Sequence, residues 1–138
     1  MSLRVLIADD HAAVRHALIR SFQQEVDIEI VGEAEDGSSA VDLTGELAPD
    51  VVIMDITMPR LDGIGATRRI TEEHPAVKIV GLSVHASKPY VSKMFAAGAT
   101  GYILKDDDFA ELVKAVRVVF SGGTYLSSAI TDFNGRHS

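Results

Sequence analysis

Five short apolar runs, largely β-branched, recur along the chain, and each is followed by a stretch with helical spacing. The runs cover residues 3–8, 28–31, 51–54, 77–82 and 101–104. They are continuous rather than alternating, as expected of parallel strands covered on both faces. The intervening stretches mark one face each: Val14, Leu18 and Phe22; Ala40, Leu43, Thr44 and Leu47; Ala66, Thr67 and Ile70; Val91, Met94, Phe95 and Gly98. The last is the clearest, with Phe109, Leu112, Val113, Val116, Val119 and Phe120 in helical register. Pro49 and Pro75 close the second and third helices, Pro89 opens the fourth, and Gly98 and Gly122-Gly123 stand where helices stop. A strand-helix unit repeated in this way predicts an α/β fold, a doubly wound parallel sheet with helices on both faces and right-handed crossovers.

With 138 residues, 46% of them hydrophobic, the chain can bury the core of one ordinary domain. It has no cysteine, which excludes disulfides, thiolate metal sites and a thiol nucleophile. No apolar run approaches the roughly 20 residues of a membrane helix, and the N-terminus turns acidic at Asp9, so the expectation is a cytoplasmic protein without a membrane association. The net charge of −7 argues against nucleic-acid binding by this segment itself.

In open parallel sheets ligands bind beyond the carboxyl ends of the strands. The first run ends in Asp9-Asp10, the third in Asp55, the fourth at Ser83 and the fifth at Lys105. Three carboxylates, a hydroxyl and an ammonium therefore gather at one edge. Carboxylates this close repel one another and raise one another's pKa, and a hard divalent cation such as Mg²⁺ relieves the repulsion while leaving positions for phosphate oxygens. Such a site suits transfer of a phosphoryl group onto a carboxylate, Asp55, with Lys105 neutralising phosphoryl oxygens and Ser83 offering a hydroxyl. Taken singly, each residue has a blander reading. Asp9 or Asp10 serves as a helix N-cap, Asp55 and Ser83 end strands, Lys105 is a surface lysine, and Asp62-Gly63 is turn chemistry before a helix. The set carries the inference. His11 is expected in the first turn of the first helix, His16, His74 and His137 on the surface, and His85 beside the site. Tyr102 is either a packed strand aromatic or a rotamer switch near Ser83.

This set, Asp9-Asp10, Asp55 with Met58-Pro59 and Asp62-Gly63, Ser83, Tyr102 and Lys105, resembles the receiver domain of bacterial two-component response regulators. The resemblance implies a flavodoxin-like (βα)5 fold with a five-stranded sheet in the order 2-1-3-4-5. It implies phosphorylation of Asp55 by a sensor histidine kinase. It also implies Mg²⁺ held by Asp10, Asp55 and the backbone carbonyl of Thr57, with Asp9 assisting through water. A receiver of this kind phosphorylates itself and slowly loses the phosphoryl group, but is not an enzyme acting on other substrates. Ser83 and Tyr102 would form the switch, with Tyr102 turning inward as Ser83 moves, and homodimerisation on phosphorylation would follow. IADDH, LSVH, GATGYILKD and GGTYLS resemble the NarL/FixJ type, whose members continue into a LuxR-type helix-turn-helix domain. The receiver is accordingly expected over residues 1–122, with 123–138 a linker or truncated tail, and DNA contacted only through a domain outside this chain.

Three positions depart from the commonest receiver pattern. Lys105 precedes Asp106 rather than proline, which predicts a trans bond, because a cis bond there costs about 2.5–4 kcal/mol. Val84, with His85, is expected to tune access to Asp55, since many receivers carry a smaller residue than valine there. Serine stands at Ser83 where threonine is usual, which keeps the hydroxyl. Rival readings are weaker. A phosphohydrolase with an aspartyl nucleophile would want an acid at Thr57, and a flavin-phosphate site would be repelled by Asp9-Asp10. An interaction module that never takes phosphate would be expected to lack one of the acids, and a stand-alone receiver is the second choice because GGTYLS resembles the approach to the output linker.

Overall fold

The computed structural model describes residues 2–130. The elements run β1 (Leu3–Ala8), α1 (Ala12–Phe22), β2 (Ile28–Ala34), α2 (Gly37–Leu47), β3 (Val51–Asp55), α3 (Gly63–Glu73), β4 (Lys78–Ser83), α4 (Lys88–Ala97), β5 (Gly101–Leu104), α5 (Phe109–Phe120) and β6 (Tyr125–Leu126). All strand pairs are parallel, in the order β2-β1-β3-β4-β5-β6. The predicted 2-1-3-4-5 order is present, with one further strand at its end.

Both faces of the sheet are covered, which explains the unbroken apolar runs. Successive side chains of a strand point to opposite faces. Leu6, Val52, Met54, Ile79 and Tyr102 join one core with Ala40, Ala66, Ile70, Val91 and Met94 of α2, α3 and α4. Val5, Ile7, Val51, Ile53, Val80 and Ile103 join the other with Phe22 of α1 and Leu112, Val116 and Val119 of α5. Phe120, expected on that buried face, lies at the end of α5 and is 47% exposed.

Helix ends follow their local chemistry. The Asp36 carboxylate accepts from Ser39 N–H at 2.7 Å and caps α2, and Asp62 accepts from Gly65 N–H at 2.8 Å and caps α3. Pro89 lies in the first turn of α4, and Gly98 ends that helix at φ 119°. The same glycine lies against Thr71, where a Cβ would come within 2.2 Å of the hydroxyl oxygen. His11 takes the N-cap position of α1, so neither Asp9 nor Asp10 is spent as the cap.

The sixth strand corrects the five-stranded expectation, and it falls where a linker was expected. After Gly122 (φ 96°) the chain reverses, and Tyr125 and Leu126 pair with Gly101 and Tyr102. Tyr125 N–H donates to Thr100 O at 2.9 Å and Ser127 N–H to Tyr102 O at 2.8 Å, which satisfies the open edge of β5. Ser127 and Ile130 are buried. A pair this short is below the length at which alternation is readable in sequence. The rest of the expected tail, residues 131–138 including His137, lies outside the described residues.

Candidate functional site

The parallel register sets the strand ends level. Met54 lies beside Ala8, Asp55 beside Leu82, and Ser83 beside Leu104. The residues that terminate β1, β3 and β5 therefore meet. Lys105 Nζ stands 2.9 Å from Asp9 Oδ2 and 3.4 Å from Asp55 Oδ1. Asp9 and Asp55 are almost completely buried, at 1% and 4% exposure, whereas Asp10 is more open. His11 Nδ1 lies 3.2 Å from Asp9 Oδ1 and 3.1 Å from Asp10 Oδ1. One ligand atom from each of Asp9, Asp10, His11 and Asp55 falls within 4.8 Å of the other three.

The electrostatics are those of a site short of positive charge. Burial, and then the neighbouring Asp9 carboxylate, push Asp55 up to about 6, against the opposing pull of Lys105. Burial works against the Lys105 ammonium, but Asp9 and Asp55 outweigh it and hold its pKa above the ordinary lysine value. Asp9 Oδ2 lies against the Lys105 ammonium at 2.9 Å and has no other polar partner among the described residues. Three converging carboxylates against a single ammonium form a donor set that fits a hard divalent cation.

This charge has a consequence for stability. The Asp55 pKa is raised from 3.8 to about 6 on folding, so between these values the native state binds more protons than the unfolded chain. The associated stability is full below pH about 4 and is lost as pH rises through about 6, a loss of about 3 kcal/mol. Urea unfolding in chelator at several pH values should show this loss in the wild type relative to Asp55→Asn. Parallel profiles for the two proteins would refute it.

Other sequence-predicted residues form a second, linked group. Ser83, buried, accepts at Oγ from His85 N–H at 2.9 Å. Tyr102, 0% exposed, donates its hydroxyl to His85 O at 2.6 Å, and the His85 ring stacks on Tyr90 at 3.9 Å between centroids. The Tyr102 ring is fully buried in the core beside β4 and α4. Thr57 and Val84 lie exposed on the loops after β3 and β4. The Lys105–Asp106 bond is trans.

Two contributions were not readable beforehand. Arg15 donates through Nη1 to Asp9 O at 2.7 Å and through Nε to Glu33 at 2.7 Å, so β2, silent in the sequence, helps hold the acidic turn. Gly63, read as turn chemistry, lies directly against the backbone of Asp55: its N–H donates to Ile56 O at 2.7 Å, and a Cβ would fall 2.0 Å from Asp55 O. Nothing in the spacing of Arg15 and Glu33 signals their contact, and Asp-Gly suits any turn.

Fold and site together define a doubly wound parallel α/β domain whose carboxylates converge at the strand ends in an arrangement that suits a cation. The model for the response regulator receiver domain matches residues 5–117, and the chain belongs to that family, in its NarL/FixJ branch. It is 40% identical over 129 residues to the transcriptional regulatory protein DegU of Brevibacillus brevis, covering 94% of this chain and 55% of DegU. It thus spans little more than half of that relative. A LuxR-family response regulator from Aurantimonas sp. SI85-9A1 superposes with a TM-score of 0.91 at 36% identity, over 96% of this chain and 94% of that one. The isolated receiver of RcsB from Salmonella enterica serovar Typhimurium, solved in the presence of the phosphomimetic BeF₃⁻, superposes with a TM-score of 0.87 at 26% identity, covering 96% and 99% of the two chains. Among the described residues no helix is long and apolar enough to cross a membrane.

Proposed function

We propose that this receiver accepts a phosphoryl group on Asp55 from the phosphohistidine of a sensor histidine kinase. The observation that carries the reading is Lys105 Nζ lying within 3.4 Å of Asp55 and 2.9 Å of Asp9 beside an under-neutralised acidic cluster. An Asp55 oxygen attacks phosphorus, the bond from phosphorus to the donor imidazole nitrogen breaks, and the imidazole leaves with its electron pair. Lys105 neutralises a phosphoryl oxygen as a point charge. Asp10, Asp55 and the Thr57 carbonyl would hold Mg²⁺, and Asp9 would assist them. When bound, Mg²⁺ supplies the positive charge that lets a carboxylate approach a phosphoryl group. Val84 and His85, on the loop after β4, tune access to the acceptor. The same site phosphorylates itself from small donors and slowly loses the phosphoryl group by hydrolysis.

The response runs through Ser83. Its hydroxyl reaches for a phosphoryl oxygen, which loosens the bond it accepts from His85 N–H and disturbs the His85 carbonyl that anchors Tyr102. The changed surface promotes homodimerisation and acts in the cytoplasm on a helix-turn-helix output domain that contacts DNA, outside this chain. In this reading residues 1–122 are the receiver, and the segment after it leads toward that output.

The test is intact-mass measurement after incubation with Mg²⁺ and a phosphorylated sensor kinase or phosphoramidate. Gain of one acid-stable, base-labile phosphoryl group supports the reading, and no gain refutes it. Ser83→Ala should keep labelling within about threefold of wild type, since the nucleophile is untouched. It should also blunt the NMR shift changes that BeF₃⁻ induces at Tyr102. Unchanged shifts in that variant would remove Ser83 from the switch.

A further inference from the structure

We propose that Ser127, acting through Asp107, positions the loop that carries Lys105, which makes the docked segment after α5 part of the phosphoryl site's scaffold. The proposal rests on the reading that Lys105 meets a phosphoryl group. Lys105 is the first residue beyond β5, and only a short loop separates it from α5. No proline stiffens that loop, because Asp106 follows the lysine. Its shape is set by hydrogen bonds instead. Lys105 N–H donates to Ser83 O at 2.8 Å, and Asp107 N–H donates to Leu104 O at 3.0 Å. Asp107 also reaches back, and its Oδ2 accepts from Leu104 N–H at 2.9 Å. The Asp107 carboxylate therefore clasps the turn on which the lysine stands.

That same Oδ2 accepts the Ser127 hydroxyl at 2.6 Å. Ser127 is 0% exposed, and its own place is fixed on several sides. Its N–H donates to Tyr102 O at 2.8 Å, and its Oγ accepts from Ala129 N–H at 3.2 Å. Glu111 of α5 secures the flanks, accepting from Tyr125 Oη at 3.0 Å and Ser128 N–H at 2.8 Å. Ile130 is buried in the core beside this segment. A buried hydroxyl supported by a paired strand is a firm anchor for a carboxylate. The loop that carries the lysine needs such an anchor if its ammonium is to meet a transition state in one position.

The test compares wild type with Ser127→Ala in the full chain, using acetyl phosphate and Mg²⁺. Three quantities are read: the maximal labelling rate, the donor concentration at half-maximal rate, and Mg²⁺ affinity by calorimetry. A positioning role predicts a maximal rate lower by about tenfold, with the other two within about twofold, because the acids and donor access are untouched. Faster amide exchange at Leu104 and Lys105 should accompany the loss. A maximal rate within about twofold of wild type would show the segment to be an anchor for the sheet edge alone and overturn the proposal. Should Ser127→Ala unfold, Asp107→Ala, which removes the shared acceptor, serves in its place with the same criterion. Wild type that takes no phosphoryl group would instead overturn the parent reading, and this inference with it.

Discussion

Asp55→Asn protein, incubated with Mg²⁺ and phosphoramidate, should remain folded and lose at least about a hundredfold in labelling rate, because the nucleophilic carboxylate is gone. The neighbouring acids are poor substitutes. Asp9 is committed to Lys105 and to His11 N–H, at 2.9 and 2.8 Å, and is 1% exposed. Asp10 is more open but lies farther out, beside the His11 ring. Intact mass spectrometry over a time course reads the result directly. Labelling of the variant at the wild-type rate would move the acceptor elsewhere and end the proposed mechanism.

The second large effect comes from a residue without a side chain. Gly63 opens α3, where alanine would ordinarily favour the helix by about 1 kcal/mol. Packing predicts the opposite sign. A Cβ there would lie 2.0 Å from Asp55 O and 2.7 Å from Ile56 Cα, both backbone atoms that no rotamer change can move. The end of β3 or the start of α3 must shift, and Gly63→Ala should cost about 3 kcal/mol or more. Because the displaced residue is Asp55 itself, cation affinity should fall together with stability. Urea unfolding and Mg²⁺ calorimetry measure the two. Equal or greater stability would show that the contact is easily relieved.

Sequence and structure agree most closely at the strand ends. Asp9, Asp55, Ser83 and Lys105 were legible because continuous apolar runs fix where parallel strands finish, and the fold rule says what happens there. Boundaries drifted by a few residues, as at β2, which runs on to Ala34, without moving any chemical group. What escaped shares one physical cause: it depends on contacts between segments that no local pattern encodes. Arg15 with Glu33 is a meeting of two elements. Gly63 against Asp55 is a distance, and Asp-Gly would look the same in any turn. Tyr125 and Leu126 are too short a strand to alternate, and the Ser127 bond to Asp107 exists only once that strand has paired. Phe120 matched the helical period but sits in the last turn, where the sheet no longer covers it.

The level alignment of β1, β3, β4 and β5 bears also on assembly of the chain. Asp9 and Lys105, 2.9 Å apart, enter the fold at nearly opposite ends of the polypeptide, and Asp55 comes from the middle. A chain that lacks β5 cannot bring all three together, so the acidic cluster and its ammonium form only when β1, β3 and β5 are side by side with β4 in the sheet. A divalent ion held there would raise the midpoint of unfolding, since only the native form presents the cluster. On the proposed reading, a copy in which β5 has not yet joined β4 cannot take the phosphoryl group.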